Sequence, residues 1–214
     1  MSDVAARLAE VRARIDAAAC GRDVTLVLVT KTVAVAAIRE ACAAGARDLG
    51  ENRAQELVAK APQIADARWH FIGRLQRNKV RAVAPYVSLW QSVDRIELAR
   101  AIARHAPGAR VLVQVNVGDE PQKGGCDIAQ TAGLVGDCRN AGLDVQGLMA
   151  VPPAGPDPRP FFAVLRRLTD DLALGTCSMG MSGDYEQAIA EGATMVRVGS
   201  AVFGPRPPES DARR

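Results

Sequence analysis

The sequence predicts a single-domain (β/α)8 barrel, the TIM-barrel fold class. Eight short apolar runs rich in branched residues alternate with seven segments whose apolar residues recur every three or four positions. Strands separated by helices pair in parallel, because each helix returns the chain to the end of the sheet where the strand began. Eight such units favour closure into a barrel. The rival architecture, an open doubly wound sheet, is weakened by the first strand-to-helix turn, TKTVA, which lacks a glycine-rich dinucleotide motif.

The predicted elements alternate regularly along the chain. Strands are expected at 24–30, 47–50, 68–72, 87–91, 110–117, 144–150, 174–178 and 194–198. Helices are expected at 34–44, 52–65, 75–82, 94–106, 127–141, 159–172 and 184–191. Gly45, Gly142 and Gly192 follow three of these helices, as helix C-cap glycines do. Asp94, with Glu97 three residues later, predicts a capping box at the start of another helix.

The N-terminal segment predicts one more helix, because apolar residues recur at helical spacing from Val4 to Ile15. No eighth helix is expected after the last strand, since the chain soon becomes GPRPPESDARR. We therefore expect the N-terminal helix to fill the eighth helix position. The barrel domain is expected to span residues 1–204, with residues 205–214 as a flexible tail.

Composition excludes several classes of function. A net charge of +3 over 214 residues is too small to indicate a nucleic-acid or membrane-surface partner. No apolar stretch is long enough to span a bilayer. No C-x-x-C or His/Cys cluster occurs, so neither a disulfide framework nor a metal site is predicted; the five cysteines are scattered at positions 20, 42, 126, 138 and 177. These features predict a cytoplasmic protein with reduced thiols.

Lys31 ends the apolar run of the first strand, in a chain that uses lysine sparingly. Only four of the 27 basic residues are lysines, so arginine supplies the routine positive charge. One interpretation is a snorkelling lysine, although the apolar run leaves no solvated face for it. The other is a nucleophilic amine, because a desolvated lysine loses its proton more readily, as imine-forming lysines require.

Polar residues gather where the predicted strands end, which is the ligand-binding face of such a barrel. The second to fifth strands have such residues at or close to their ends: Asn52, His70, Gln91 with Ser92 beside it, and Asn116. The starts of the strands show no comparable groups. We therefore expect this face to gather the amide side chains and Lys31. His70, between Trp69 and Phe71, is expected to be a core residue or one that supports the site from behind.

Two turns after the last strands resemble an anion-binding site. Ser178-Met179-Gly180-Met181-Ser182-Gly183 follows the seventh strand, and Arg197-Val198-Gly199-Ser200 closes the eighth. Small residues let backbone N–H groups approach an anion, and barrels often bind phosphate at these loops. Tight turning and helix capping alone would also explain the pattern. Asp184 and Glu186 oppose the phosphate interpretation unless their carboxylates point away.

Arg197 lies on the last strand and shares a face with Met195 and Gly199 by strand periodicity. It is either half of a structural ion pair or a ligand-facing group. An imine-forming lysine and a phosphate site together require a ligand that carries both an aldehyde and a phosphate. Pyridoxal 5′-phosphate (PLP) meets this requirement, with Arg197 facing the ring nitrogen.

Six segments of the chain resemble the pyridoxal phosphate homeostasis protein family, over roughly residues 5–205. They are LVTKT, DLGENRAQE, WHFIGRLQRNKVR, VNVGDEPQKGG, GLMAV and SMGMSGDYEQAIAEGATMVRVGSAVFG. The resemblance implies the fold-type III PLP barrel, similar to the barrel domain of alanine racemase. It implies that PLP is bound through Lys31, with Asn52 nearby, Arg197 at the ring nitrogen, and Ser182, Gly199 and Ser200 at the phosphate. Thr30 and Arg53 depart from the family pattern, where serine and an aromatic residue are common.

The resemblance further implies a role in intracellular PLP homeostasis. PLP is expected to be held as a lysine Schiff base and transferred to PLP-dependent apoenzymes, by a monomer with little or no catalysis. The alternative is a weak amino-acid racemase, which needs a base on each face of the imine. Alanine racemase takes its second base, a tyrosine, from a C-terminal domain that this sequence is not expected to contain, and neither Tyr86 nor Tyr185 is an evident substitute. A third possibility is an aldolase-like barrel whose lysine forms an imine with a sugar phosphate.

Overall fold

Eight parallel strands close into a barrel in the order in which they occur along the chain. The computed structural model describes residues 3–120, 122–155 and 157–205. The strands are β1 (Thr25–Val29), β2 (Asp48–Glu51), β3 (Arg68–Phe71), β4 (Val87–Val93), β5 (Arg110–Gln114), β6 (Asp144–Met149), β7 (Thr176–Ser178) and β8 (Met195–Val198). Parallel pairing of β1 with β8 closes the barrel, for example through Leu28 and Val198. The predicted fold class is confirmed.

Helices cover the outside of the barrel. They are α1 (Asp3–Ala19), α2 (Val35–Ala43), α3 (Ala54–Lys60), α4 (Val80–Val83), α5 (Ile96–His105), α6 (Thr131–Asn140), α7 (Arg159–Asp171), α8 (Tyr185–Ala190) and α9 (Ser200–Phe203). Short 3-10 turns at Ala61–Gln63, Arg77–Lys79 and Ile128–Gln130 flank α3, α4 and α6. The helix predicted over 52–65 is therefore shorter than expected, because Pro62 has no N–H to continue the α-helical pattern.

Helix α1 occupies the predicted position of the eighth outer helix. It packs against α8 and α9 on one side and α2 on the other. Leu8, Val11 and Ile15 are buried in these contacts. The chain after β8 forms only the single turn α9 before Gly204. Residues 206–214 of the predicted flexible tail lie outside the described residues.

Local signals were accurate at helix ends and wrong at one helix start. Gly45, Gly142 and Gly192 have φ values of 91°, 81° and 91°, a left-handed conformation that suits glycine, so the three C-cap predictions are confirmed. The capping box predicted at Asp94 is wrong. Helix α5 has Arg95 at its N-cap with no side-chain cap, because the Asp94 carboxylate forms an ion pair with the Arg95 guanidinium instead.

The barrel interior contains an apolar layer beside its buried polar side chains. Val27, Leu89, Leu112, Met149 and Met195 form this layer. A larger apolar cluster fills the space between the barrel and the helices. No helix in the described ranges combines the length and apolarity needed to cross a membrane.

Candidate functional site

All six residues that were predicted to contact PLP line one cavity at the carboxyl ends of the strands. It holds about 670 Å³ of empty space and opens to solvent. Its predicted lining residues are Lys31, Asn52, Ser182, Arg197, Gly199 and Ser200. They come from the ends of β1, β2, β7 and β8, which are neighbours around the closed sheet. Closure of the barrel is therefore what brings the first and last parts of the chain together.

Lys31 lies in the turn that follows β1, and both peptide groups beside it are anchored. The Thr30 carbonyl oxygen accepts a hydrogen bond from Lys60 Nζ at 2.7 Å. The Thr32 N–H donates to Glu56 Oε2, also at 2.7 Å. Thr32 has φ of 62°, an unusual conformation for a β-branched residue, which persists only where the surroundings hold it.

The anchor of this turn is a cluster formed by the buried residues Lys60 and Glu51 and the partly exposed Glu56. Lys60 Nζ donates to Glu51 Oε1 and to Glu56 Oε2, each at 2.7 Å. The Thr30 hydroxyl also donates to Glu51 Oε1, at 2.7 Å. Burial raises the pKa of the Glu51 carboxyl, although the bonds from Lys60 and Thr30 oppose this. This cluster was not predicted; its one signal in the sequence is a scarce lysine four residues after a glutamate on the same helix.

Arg197 is buried in the barrel, and no carboxylate among the described residues bonds to it. Its Nη1 donates to Ser178 Oγ at 2.7 Å, and its Nη2 donates to the Ala150 carbonyl oxygen at 2.8 Å. Burial lowers the pKa of the guanidinium to about 10, so it stays charged at neutral pH. Its inward direction, shared with Met195 and Gly199, follows the strand periodicity as predicted. The interpretation as a structural ion pair is wrong, since both hydrogen-bond partners are neutral.

The turns after β7 and β8 meet through Ser182. Its Oγ accepts hydrogen bonds from the backbone N–H groups of Gly199 at 3.1 Å and Ala201 at 3.5 Å. These N–H groups therefore point at a shared position occupied by an electronegative oxygen. A Cβ at position 199 would lie 3.2 Å from both Cβ and the carbonyl oxygen of Val29, so glycine permits the close approach to β1.

The two carboxylates that were expected to repel an anion at this turn, Asp184 and Glu186, bond to other groups. Glu186 forms a bidentate interaction with Arg14 of helix α1, with distances of 3.1 and 2.6 Å. Asp184 Oδ1 accepts the backbone N–H of Met181. Neither carboxylate lines the cavity. The electrostatic objection raised by the sequence is therefore reduced.

Asn52 lines the cavity and carries a buried, unsatisfied acceptor. Its Oδ1 is buried and has no hydrogen-bond partner among the described residues. Buried polar atoms of this kind usually have a partner, so Asn52 Oδ1 points to a ligand with a donor. Gly73 sets its position: a Cβ there would lie 2.2 Å from the Asn52 carbonyl oxygen, so only glycine allows these two turns to pack.

Gln91, Ser92 and Asn116, which were expected near Lys31, lie elsewhere, and His70 is buried in the barrel as predicted for a core residue. His70 and Gln91 are hydrogen-bonded to each other inside the barrel, and Ser92 donates to the Gly73 carbonyl oxygen. Asn116 forms hydrogen bonds with the backbone of Glu120. None of these residues lines the cavity. Their strands were predicted correctly, but barrel closure directs their side chains to other positions.

The strand starts, which had appeared unremarkable, carry a second polar group. Asp48 at the start of β2 and Arg68 at the start of β3 form a bidentate pair with distances of 2.8 and 2.5 Å. Both line a separate cavity at the opposite end of the barrel, together with His70 and Arg110. The expectation that this end lacks polar groups is wrong. Within the described ranges, no three acidic, histidine or cysteine side chains come together as metal ligands do.

Comparisons with known proteins agree with this geometry. The family model described as alanine racemase, N-terminal domain, matches residues 3–207. A pyridoxal phosphate homeostasis protein of Pseudomonas aeruginosa is 45% identical over 96% of this chain and 97% of its own length. The protein of the same name from Escherichia coli K12 is 39% identical over 96% of this chain and 98% of its own length. The chain belongs to the pyridoxal phosphate homeostasis protein family. The family predicted from the sequence motifs is confirmed.

Solved structures place the family in its wider fold group. PipY of Synechococcus elongatus, solved with PLP bound, is 35% identical, with a TM-score of 0.84 over 94% of this chain and all of PipY. Alanine racemase from Corynebacterium glutamicum has a TM-score of 0.73 at 17% identity, over 97% of this chain and 62% of the racemase. The second similarity concerns the fold alone.

Proposed function

We propose that this protein binds PLP in the cavity at the carboxyl ends of the strands and serves in PLP homeostasis. One observation carries the proposal: a lysine amine, a buried arginine and a serine–glycine turn with converging N–H groups line the same cavity. The named relatives are pyridoxal phosphate homeostasis proteins, and PipY binds PLP. The unpartnered Asn52 Oδ1 is consistent with a polar ligand at this place.

Each lining residue has a role that its own chemistry allows. Bound PLP would supply an electrophilic aldehyde carbon, and the Lys31 amine is the lining group that would hold it covalently. The hydroxyl groups of Ser182 and Ser200 can donate to phosphate oxygens, and the backbone N–H of Gly199 supports this turn by donating to Ser182 Oγ. Arg197 can only donate a hydrogen bond, so it keeps the ring nitrogen unprotonated. An unprotonated ring withdraws less charge from a substrate carbon, which favours holding PLP over catalysis.

The lining residues also favour a carrier over a racemase. Racemisation needs an acid–base group on each face of the substrate carbon. Among the described lining residues, Lys31 supplies the amine, and no carboxylate, imidazole or phenol is present. Tyr86 and Tyr185 lie outside the cavity; Tyr185 is buried beneath Arg14, whose guanidinium carbon is 5.5 Å from the ring centre. We therefore propose slow or absent racemase chemistry.

Three further features remain predictions. Transfer of PLP to apoenzymes fits a cavity that opens to solvent, because a partner or an amine can approach the link to Lys31. A monomeric state and a cytoplasmic location are expected from the sequence. Sedimentation of the PLP-loaded protein checks the first of these two, and cell fractionation checks the second.

The covalent link to Lys31 is directly testable. The purified protein is incubated with PLP, reduced with borohydride, digested and examined by mass spectrometry. We expect a pyridoxyl phosphate increment on the Lys31 peptide, lost in Lys31→Ala and retained in Lys79→Ala, a control at a surface groove. If the Lys31 peptide of the unaltered protein carries no pyridoxyl phosphate mass increment, the proposal is overturned.

A separate measurement tests the racemase alternative. PLP-loaded protein is incubated with L-alanine in deuterated water, and the deuterium content at the α-carbon is followed by NMR. Little exchange is expected on the timescale of minutes. Sustained exchange and D-alanine production, both abolished by Lys31→Ala, would replace the carrier function with a racemase.

A further inference from the structure

A continuous chain of side-chain hydrogen bonds crosses the inside of the barrel, starting at Arg197. Arg197 Nη1 donates to Ser178 Oγ at 2.7 Å, and the Ser178 hydroxyl donates to Gln91 Oε1 at 2.7 Å. Gln91 Nε2 lies 2.7 Å from His70 Nδ1, and His70 Nε2 lies 3.0 Å from Asp48 Oδ1. The chain thus begins at the PLP cavity and reaches the first residue of β2.

The far end of the chain lies at the opposite face of the barrel, where the Asp48 side chain is mostly buried. Asp48 is held there by the bidentate bond from Arg68, whose side chain is largely exposed. Burial alone would raise the pKa of the Asp48 carboxyl, but the hydrogen bonds from His70 and Arg68 outweigh it and lower the pKa. Asp48 is therefore an ionised acceptor at the end of the chain.

Every donor and acceptor in the chain follows from its two charged ends. The Arg197 guanidinium has no acceptor, so Ser178 accepts from it and turns its own hydrogen towards Gln91 Oε1. The Gln91 amide then directs its N–H to His70 Nδ1, which must accept. His70 consequently carries its hydrogen on Nε2 and donates it to the Asp48 carboxylate.

The order of donors and acceptors along this chain is obligatory because its members are buried. Ser178 and Gln91 are fully buried, and His70 and Arg197 are only 4% exposed. Water therefore has little access to replace a missing partner, and an unpaired buried polar group is unfavourable. Removing a member leaves the Ser178 hydroxyl free to turn, which changes the acceptor that orients Arg197.

We propose that Gln91 and His70 are positioning residues for Arg197, holding its guanidinium in the direction that meets the PLP ring. This inference rests on the proposed function, because it assigns Arg197 to the ring of bound PLP. Neither residue touches the cavity; both act through Ser178. Their effect is therefore expected on the electronic state and affinity of bound PLP, in addition to any effect on folding.

The first test measures bound PLP in chain-breaking variants. Gln91→Leu and His70→Phe are expected to shift the absorption maximum of the PLP-loaded protein. They are expected to weaken PLP binding about tenfold, the equivalent of one lost hydrogen bond. His70→Asn, which offers an amide oxygen to Gln91, should restore part of the spectrum. Leu112→Ala is the matched control, since it removes a buried side chain from the neighbouring apolar layer and should leave the absorption maximum unchanged.

A spectrum in Gln91→Leu identical to that of the unaltered protein overturns the proposal. So does a shift of the same size in the Leu112→Ala control, because it would indicate a general effect of loosened packing. If Gln91→Leu does not fold, the two His70 variants still test the proposal. Unchanged PLP affinity and an unchanged absorption spectrum in both His70→Phe and His70→Asn would contradict it.

A second test needs no PLP, so its result is independent of the proposed function. The chain has two histidines, and His105 is exposed, so nitrogen-15 NMR of the imidazoles can separate them. We expect the His70 signals of the tautomer protonated at Nε2, and a change in these signals in Arg197→Met. A His70 ring protonated at Nδ1, or one indifferent to Arg197→Met, overturns the proposed chain. Failure of borohydride labelling at Lys31 with the expected NMR result would instead count against PLP binding alone.

Discussion

Replacing Lys60 with methionine should destabilise the protein strongly, because it removes the cation that compensates a fully buried glutamate. Methionine keeps most of the volume of the side chain while deleting three hydrogen bonds of 2.7 Å. Two of them go to carboxylates and one to the Thr30 carbonyl oxygen. Glu51 would remain in the core with only the Thr30 hydroxyl and without its ion-pair partner.

The size of the effect follows from burial. Glu51 is fully buried and the Lys60 side chain is 10% exposed, so water screens this pair very little. Breaking such a pair from one side destabilises proteins by about 3–5 kcal/mol. Glu56 is partly exposed and can regain water, so we assign it little of the loss. We expect about 4 kcal/mol in total, a large share of the roughly 5–15 kcal/mol that stabilises an ordinary domain.

Urea denaturation followed by circular dichroism measures this loss. With a slope of about 2 kcal/mol per molar urea, the midpoint should fall by about 2 M. Lys79→Met is the matched control, because Lys79 lines an open surface groove, and it should change stability by less than about 0.5 kcal/mol. Glu51→Gln combined with Lys60→Met removes the stranded charge and should recover a clear part of the loss. Equal midpoints for Lys60→Met and Lys79→Met would refute the reasoning.

The pH dependence of the same variant gives a second check. Burial already raises the pKa of Glu51, so the folded state binds a proton there more readily than the unfolded state does. The contribution of Glu51 to stability therefore falls as the pH rises above the ordinary pKa of a glutamate. Without Lys60 the pKa should rise further. The loss in Lys60→Met should be larger at pH 8 than at pH 5.

Gly147→Ala should destabilise the barrel by about 3 kcal/mol in urea denaturation, because the new Cβ would lie 1.8 Å from the Thr176 carbonyl oxygen of the paired strand. Gly136→Ala in α6 meets nothing within 4 Å and should stabilise by about 0.5–1 kcal/mol; equal effects of the two changes would contradict the steric argument. Arg68→Ala should raise the pH of acid unfolding, followed by circular dichroism. The pKa of Asp48 is lowered in the folded protein, so this group stabilises the fold above the ordinary pKa of an aspartate and loses that effect as the pH falls through its folded-state pKa. Without Arg68 the folded-state pKa rises, so the loss occurs at higher pH. An unchanged acid midpoint would show that this pair contributes little.

The architecture was predictable because local patterns and the global fold agree. Alternating strand and helix periodicities required parallel pairing, and eight units favoured closure. Residues near strand ends then had to meet at one face. This is why Lys31 and Ser200, far apart in sequence, line the same cavity.

Side-chain partnerships were harder to predict, because several are possible from sequence alone. Asp94 looked like a helix cap but pairs with Arg95. His70 was predicted to be a core residue, but its partners Gln91 and Asp48 were not predicted. These choices depend on strand tilt and burial, since a buried polar group takes whichever partner the closed barrel brings within reach.

By itself, the sequence determined the barrel, the helix that completes it, and the lysine and small-residue turns that line the cavity. These features follow from periodicity and residue chemistry, which act over a few neighbouring positions. Only the tertiary structure decided that Lys60 anchors the turn of Lys31 and that Arg197 is linked through the barrel to Asp48. Both arrangements join distant strands inside a closed sheet, where the order of hydrogen bonds depends on which groups burial leaves without water.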